Sequence, residues 1–330
     1  MTVPAPPATS RDETTDAIAR LIDDSGDIGC LAHKDADADS LGSTLAFALS
    51  LRERGKRVHA MAPAPLPRTL GFLPGYDTLE ESPAHLDCIF TFDCATLARF
   101  GDKRSLVERS TRVVNVDHHA SSERFGTINL VDPHASATGQ VVYALLRRLN
   151  LPVTAEVATN LYAALFTDTG GFRHENTNEQ ALQLGADLVR LGADPAFVAL
   201  KTYKSRSVSR IRLEALAVAA LHEDENGRLI WCEITRGMLD EAGAEMDESE
   251  GVIDLLQSID SMRLAIVFKQ QAPRLTKLSV RSRDPYDATS VCVPFGGGGH
   301  HRAAGAEVGE PLDTTRERVL EVARGLLQET

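Results

Sequence analysis

The sequence predicts an α/β protein: an N-terminal parallel-sheet domain joined by a helical connector to a smaller α+β C-terminal domain. Three observations predict it. At about 150 residues per domain, 330 residues make roughly two domains. In the first half, short apolar runs alternate with helical patterns, the signature of a parallel sheet with helices on its faces. Near residue 215 the texture changes to strand patterns that lie close together in sequence, as in an α+β domain.

Met1 to Ser10 is rich in Pro and Ala. It lacks a basic start followed by an apolar stretch, so residues 1–14 read as a disordered leader and not a signal peptide. The first domain is then 15–192. Ile28 to Ala32, Ile89 to Phe92 and Val113 to Val116 are its strand candidates. Leu41, Leu45, Ala48, Leu49 and Arg52 fall at helical spacing after the first of them. Longer helical patterns cover Gly139 to Leu149, Ala155 to Phe166 and Glu179 to Leu191. From Asp194 to Leu221 the pattern is helical with no Gly or Pro after Pro195, which places a connector at 193–214. Its basic stripe (Lys201, Lys204, Arg206, Arg210, Arg212) reads as a solvated face. In the second domain, 215–330, Arg228 to Ile234, Met262 to Phe268 and Leu275 to Val280 read as strands. The last two are joined across Gln270 to Arg274, and Thr314 to Leu327 is a terminal helix.

Composition narrows the function. With 35 Lys plus Arg against 47 Asp plus Glu, the net charge is −12, which argues against a broad surface for long nucleic acids. A small polyanion in a locally positive site remains compatible. Hydrophobic residues at 43% and charged residues at 25% exclude wholesale disorder and a collagenous chain. No apolar run reaches the roughly 18 residues of a membrane helix. Five dispersed cysteines (Cys30, Cys88, Cys94, Cys232, Cys292) have no zinc-site spacing and suit a reducing cytoplasm. Cys94, beside Asp93, reads as packing.

Ligands of parallel sheets bind beyond the carboxyl ends of the strands. Here each strand candidate ends in acid or imidazole: His33-Lys34-Asp35-Ala36-Asp37-Ala38-Asp39-Ser40, then Asp93, then Asp117-His118-His119. Asp168 extends the apolar stripe of Val157, Leu161, Ala164 and Leu165, so its carboxylate needs a partner, and the sheet edge can supply one. His33, Asp37, Asp39, Asp93, His118 and Asp168 thus form one candidate set. Four crowded carboxylates repel one another. Two divalent cations cancel that repulsion, and an oxygen-rich set with few imidazoles suits Mn²⁺ or Mg²⁺. Asp-rich loops also cap helices, and Asp39 or Ser40 can be such a cap. An EF-hand is excluded by the missing Gly and Glu at its fixed positions.

Pro294-Phe295-Gly296-Gly297-Gly298-Gly299-His300-His301-Arg302-Ala303-Ala304-Gly305 is the second informative segment. Glycines followed by small residues that can start a helix expose N–H groups to a phosphate. His300 or Arg302 can add charge there. It is not a Walker loop, since no Gly-Lys-Ser/Thr follows. Arg281, in Ser279-Val280-Arg281-Ser282, is a further phosphate-binding candidate, with a surface ion pair as the alternative.

Together, His33-x3-Asp37-x-Asp39, Asp93, Asp117-His118-His119, Thr167-Asp168-Thr169-Gly170 and Gly296 to Gly305 resemble the motifs of the DHH phosphoesterases and their associated Gly-Gly-Gly-His domain. The order and spacing match over roughly residues 15 to 325. The size is similar to the bacterial nano-RNase and pAp phosphatase branch rather than the larger RecJ exonucleases. The Gly-rich ending differs from family-II inorganic pyrophosphatases. Ala36 stands where many relatives have Pro, and Asp35 is an extra acid that can affect metal preference or substrate range.

The resemblance implies two divalent ions, Mn²⁺ in preference to Mg²⁺ or another divalent metal. By it, His33, Asp37 and Asp168 hold one ion, Asp39 and His118 the other, and Asp93 bridges both. His119 lies near the scissile phosphate as a catalytic group with Asp93, and Asp117 orients the His pair. Arg281, Gly297, Gly298, Gly299 and His300 hold the substrate's phosphate from the other side of a cleft.

The resemblance further implies release of 5′-mononucleotides from oligoribonucleotides about two to five long, and pAp conversion to AMP. A cyclic di-AMP or pApA phosphodiesterase is the alternative, and a non-enzymatic RNA-binding module a third reading. A polyphosphatase is disfavoured by the Gly-rich ending. Partners are short RNA, dinucleotides or pAp, with no long duplex and no membrane, and the resemblance implies a homodimer.

Overall fold

A computed structural model describes residues 12–328 apart from 82, 84 and 205. Most of the expected leader, 1–11, lies outside the described residues. Residues 13 and 14 already belong to the first helix, whose start is fixed by Asp12 accepting the Thr15 N–H at 2.8 Å. The chain divides into two compact units between residues 205 and 206.

The first unit contains α1 (Glu13–Asp23), β1 (Asp27–Leu31), α2 (Ala38–Glu53), β2 (Arg57–Met61), β3 (Cys88–Phe92), α3 (Arg104–Arg109) and β4 (Val113–Asp117). Then follow β5 (Ile128–Val131), α4 (Thr138–Arg148), α5 (Ala155–Asp168), α6 (Glu179–Arg190) and α7 (Pro195–Ala199). Its five strands are parallel, in the order β2-β1-β3-β4-β5. β3 and β4 are buried along their whole length, as strands covered on both faces must be. After β2 the chain returns to the opposite side of β1, so the topological switch lies between β1 and β3. That is where a doubly wound sheet opens a crevice for ligands.

Helices α2, α4 and α5 approach closely because small residues face one another. A Cβ on Gly42 would lie 2.7 Å from the Asn160 carbonyl oxygen, and one on Gly139 would lie 2.7 Å from Ala164 Cβ. This contact sets the spacing between Asp39 on α2 and Asp168 on α5. Gly42→Ala should therefore cost about 1–3 kcal/mol of stability. A thermal melt reads it, and an unchanged melting temperature would show that the helices separate freely.

The second unit contains α8 (Val208–Ala219), β6 (His222–Asp224), β7 (Leu229–Ile234), α9 (Arg236–Ala242), α10 (Val252–Gln257), β8 (Leu264–Ala272) and β9 (Leu275–Ser282). It ends with α11 (Ala288–Cys292), β10 (Gly298–His300), β11 (Ala303–Val308) and α12 (Leu312–Gln328). The sheet order is β10-β11-β9-β8-β7-β6, mixed in direction, with only β7 and β8 parallel. One face carries the apolar core that includes Val319, Leu320 and Ala323 of α12. The other packs Ile230, Cys232, Ala265 and Val267 against side chains of α8, α9 and α10. The α/β first domain and α+β second domain agree with the sequence reading.

Three expectations are corrected. The helical pattern over 193–214 is not one connector: Ser207 caps a new helix, α8, by accepting the Arg210 N–H at 2.9 Å. α8 packs within the second unit, so the division falls near 205 and not 215. The basic stripe is not wholly a solvated face. Arg206 and Arg210 pair with the buried Glu214 at 2.8 and 3.1 Å, because a carboxylate at that depth needs cations. The glycine run does not lead into a helix. It enters the β10–β11 hairpin, since a Cβ on Gly297 would meet the Gly305 carbonyl oxygen at 2.3 Å. Gly299 adds φ = 144°, which L side chains rarely adopt.

Candidate metal centre

The six candidate ligands converge at the carboxyl edge of the first unit's sheet. His33 follows β1 and is buried. Its Nδ1 lies 2.7 Å from the Lys34 carbonyl oxygen, so Nδ1 carries the proton and Nε2 presents its lone pair to the site. His118 repeats the device after β4: Nδ1 is 3.1 Å from the Ala135 carbonyl oxygen. Its Nε2 lies 3.5 Å from Asp93, 3.7 Å from Asp168 and 3.8 Å from Asp39. A ligating imidazole needs this kind of fixed second nitrogen.

The N-cap of α2 is Asp37, not Asp39 or Ser40 as expected, and its other oxygen faces His33. Asp37 Oδ1 accepts the Ser40 N–H at 2.9 Å as the N-cap of α2, while Oδ2 lies 4.0 Å from His33 Nε2. Asp39, in the first turn of α2, accepts the backbone N–H groups of Thr138 and Gly139 at 2.7 and 2.9 Å. These belong to the start of α4, whose dipole favours a carboxylate. Asp93 sits directly after β3 with φ = 59°, an uncommon value for a residue with a side chain. Its Oδ2 faces His33 at 3.4 Å, and its Oδ1 faces His118 at 3.5 Å and accepts the Thr138 hydroxyl at 2.9 Å.

Two groups result, each with its ligand atoms within 4.8 Å: His33, Asp37 and Asp93, and Asp39, His118 and Asp168. Asp93 offers one oxygen to each. The expected partition put Asp168 with His33 and Asp37; here Asp168 Oδ2 lies 3.7 Å from His118 Nε2, in one group with Asp39. Asp168 ends α5, and the α2–α5 contact carries it to Asp39 and His118. A third group, Asp93, Asp117 and His119, lies alongside. Buried Asp117 accepts from His119 Nδ1 at 2.7 Å and from the backbone N–H groups of His118 and His119 at 2.9 and 3.2 Å.

Charge crowding shifts these groups from their ordinary pKa values. Burial, then Asp93, Asp168 and Asp37, hold Asp39 well above the usual carboxylate range. Burial pushes Asp168 up to about 7, with Asp93 and Asp37 adding to it against His118. Asp93 goes the other way: burial would raise it, but His33, His119 and His118 hold it well below that range. For His119, burial is outweighed by the Asp117 hydrogen bond and the Asp93 and Asp117 charges, which raise it to about 9. Carboxylates that cannot all ionise comfortably, beside two imidazole lone pairs, fit divalent cations.

Several contributors were not named from the sequence. Thr138 and Gly139 hold Asp39 and Asp93. Asn176 Nδ2 lies 3.4 Å from Asp168 Oδ2, and Arg99 Nη2 is 2.8 Å from His33 Nε2. The Ser136-Ala137-Thr138-Gly139 run before a helix was the one available signal. Cys94 is buried and donates to the Thr96 carbonyl oxygen at 3.2 Å, consistent with packing. Thr138→Val should weaken metal affinity about 10- to 100-fold, as loss of a ligand's supporting hydrogen bond does. Metal titration checks it, and unchanged affinity would make the Thr138 contact incidental.

In the second unit, Gly298, Gly299 and His300 form β10, with Gly297 just before it. His300 pairs with Ala303, and Ala303 pairs with Arg281. Directly paired residues share a face, so His300 and Arg281 stand on one face, two strands apart.

Comparison with known proteins places this geometry. Residues 27–165 match the family profile described as DHH family, N-terminal domain, and residues 226–329 match the DHHA1 domain. A Thermus thermophilus protein named bifunctional oligoribonuclease and PAP phosphatase NrnA is 33% identical over 305 residues, 91% of this chain and 90% of that one. The chain belongs to the DHH family. The Bacillus subtilis protein of the same name is 23% identical over 84% of this chain and 87% of its own. The cyclic-di-AMP phosphodiesterase PdeA of Listeria monocytogenes is 24% identical over 92% of this chain, but only 48% of that protein is matched. An exopolyphosphatase-related protein from Bacteroides fragilis shares the fold, with a TM-score of 0.86, 23% identity and 96% of each chain covered. Among the described residues no helix is long and apolar enough to cross a membrane. All five cysteines are free and buried.

Proposed function

We propose that this protein is a metal-dependent phosphoesterase that hydrolyses oligoribonucleotides a few residues long to 5′-mononucleotides, and pAp to AMP. One observation carries the reading: two acid–imidazole groups share Asp93 at the crevice of the sheet. The similarity to the Thermus protein over nine-tenths of both chains supports the substrate class. His33, Asp37 and Asp93 would hold one ion and Asp39, Asp93, His118 and Asp168 the other. Mn²⁺ suits the oxygen-rich donors with two imidazoles. Two such ions, when bound, lower the pKa of a water and neutralise phosphoryl oxygens.

The chain's own groups do the rest. Fixed Nδ1 protons aim His33 and His118. Asp117 and Asp93 hold His119 protonated, so that it can donate to a phosphoryl oxygen as charge develops. Arg281, Gly297, Gly298, Gly299 and His300 bind the substrate's phosphate. The −12 charge repels long duplexes while leaving short chains acceptable. A homodimer working in the cytoplasm completes the proposal.

A second reading, hydrolysis of cyclic di-AMP or pApA, is favoured by the similarity to PdeA. A panel of short RNA, pAp, pApA and cyclic di-AMP with Mn²⁺, Mg²⁺ and Zn²⁺ separates the two by kcat/KM. The highest value on short RNA and pAp supports the first reading, and the highest on cyclic di-AMP the second. No turnover of any substrate would leave a non-enzymatic RNA-binding module.

A further inference from the structure

Arg99 lies in the 3-10 turn Leu97–Lys103, which follows β3 in the first unit. Its carbonyl oxygen accepts the Lys34 N–H at 2.6 Å, one residue beyond His33. Two residues further on, a Cβ on Gly101 would lie 3.5 Å from Lys34 Cβ and 3.7 Å from Pro63 Cβ. The turn is therefore pinned against the loop that carries His33. The freedom left to Arg99 is in its half-buried side chain.

That side chain reaches the candidate metal centre. Its Nη2 lies 2.8 Å from His33 Nε2. Asp93 Oδ2 and Asp37 Oδ2 lie 3.4 and 4.0 Å from the same nitrogen, yet the guanidinium donates to the imidazole and pairs with neither carboxylate. With Nδ1 protonated and held by the Lys34 carbonyl oxygen at 2.7 Å, Nε2 has one lone pair, and Arg99 takes it. A divalent ion held by His33, Asp37 and Asp93 needs that same lone pair. The two occupants are exclusive, so an ion in the first group turns Arg99 away. A guanidinium does not lose its proton in a protein, so the released side chain keeps its charge. It is also close enough to His119 for that charge to oppose protonation of the ring. Arg99 thus stands within reach of both His33 and His119, with a planar fork that matches phosphate oxygens.

We propose that Arg99 is an exchangeable arm of the metal centre: it holds His33 Nε2 against the first ion, and when that ion binds it turns to a non-bridging oxygen of the substrate's phosphate. This rests on the phosphoesterase reading for the identity of the phosphate. It makes metal loading and phosphate binding cooperative. A phosphate that keeps Arg99 off His33 removes a competitor of the ion, and the ion frees the group that the phosphate needs. Linkage makes the two effects equal in size.

The test is calorimetric titration of Mn²⁺ into the full-length, chelator-stripped protein, with and without AMP as the phosphate probe. Arg99→Met keeps the apolar stem of the side chain and removes its donors. Without AMP it should bind the first Mn²⁺ about tenfold more tightly than the wild type, since loading no longer breaks a hydrogen bond made by a charged group. With AMP present the advantage should vanish, because the wild-type arm has already left His33. At saturating Mn²⁺, KM for pAp should rise about tenfold in the variant. Arg99→Gln should act in the same direction, and it decides the matter if a thermal melt in EDTA shows that Arg99→Met fails to fold.

Unchanged or weaker Mn²⁺ binding in both variants overturns the arm and makes the contact a support for His33, while leaving the hydrolase reading intact. Tightening of equal size with and without AMP is charge repulsion alone and overturns the exchange as well. Tightening that AMP abolishes, in a protein that turns over neither short RNA, pAp nor pApA, would support the arm and defeat the hydrolase.

Discussion

Asp93→Asn should abolish most of the activity, lowering kcat by about 10³-fold or more, which corresponds to about 4 kcal/mol of transition-state stabilisation. The size follows from the placement of its two oxygens. One lies 3.4 Å from His33 Nε2 and the other 3.5 Å from His118 Nε2, so a single carboxylate serves both groups. An amide keeps one acceptor oxygen, presents an NH₂ to the other group and carries no charge. The Thr138 hydroxyl can still donate to the remaining oxygen, so the local structure should hold. Bound metal, measured by elemental analysis after equilibrium dialysis, should fall from two ions per chain to one or none. A variant that retains two ions and full turnover would remove Asp93 from the centre, and with it the assignment of two linked groups.

Much of this site is legible in the sequence because its candidate ligands sit where strands end. An apolar run followed by acid or imidazole marks both the strand and its exit from the sheet. That pattern exposes His33, Asp93 and Asp117 to His119 without any knowledge of contacts. β2 and β5 are less legible. Both lie at sheet edges, and Arg57-Val58-His59-Ala60-Met61 mixes polar and apolar positions instead of running apolar. The grouping of Asp168 with Asp39 and His118 was not legible either. It depends on the distance between α2 and α5, which Gly42 and Asn160 set from opposite helices. The glycine run misled for a related reason. Four glycines are equally compatible with a helix entry and a hairpin, and the close approach of Gly297 to the Gly305 carbonyl decides between them.

The second large effect concerns His119. Its Nδ1 is taken by Asp117 at 2.7 Å, and Asp93 lies 3.6 Å from the same nitrogen. Two carboxylates on one edge favour the protonated ring and raise its pKa to about 9 despite its burial. A cation held this way is pre-oriented, so it can stabilise developing phosphoryl charge with little reorganisation. His119→Ala should lower kcat about 10²- to 10³-fold, the range found when one pre-oriented donor is removed. Two bound ions should remain, since His33, Asp37, Asp39, Asp93, His118 and Asp168 are all present. Asp117→Asn should give a smaller loss, because the amide oxygen can still accept from His119 while the charge that holds the proton is gone. The double variant should be no slower than His119→Ala alone, because residues that act through one another are not additive. Elemental analysis provides the decisive comparison. If His119→Ala loses an ion along with its activity, then His119 is a ligand, and the third group of Asp93, Asp117 and His119 is part of the metal centre itself.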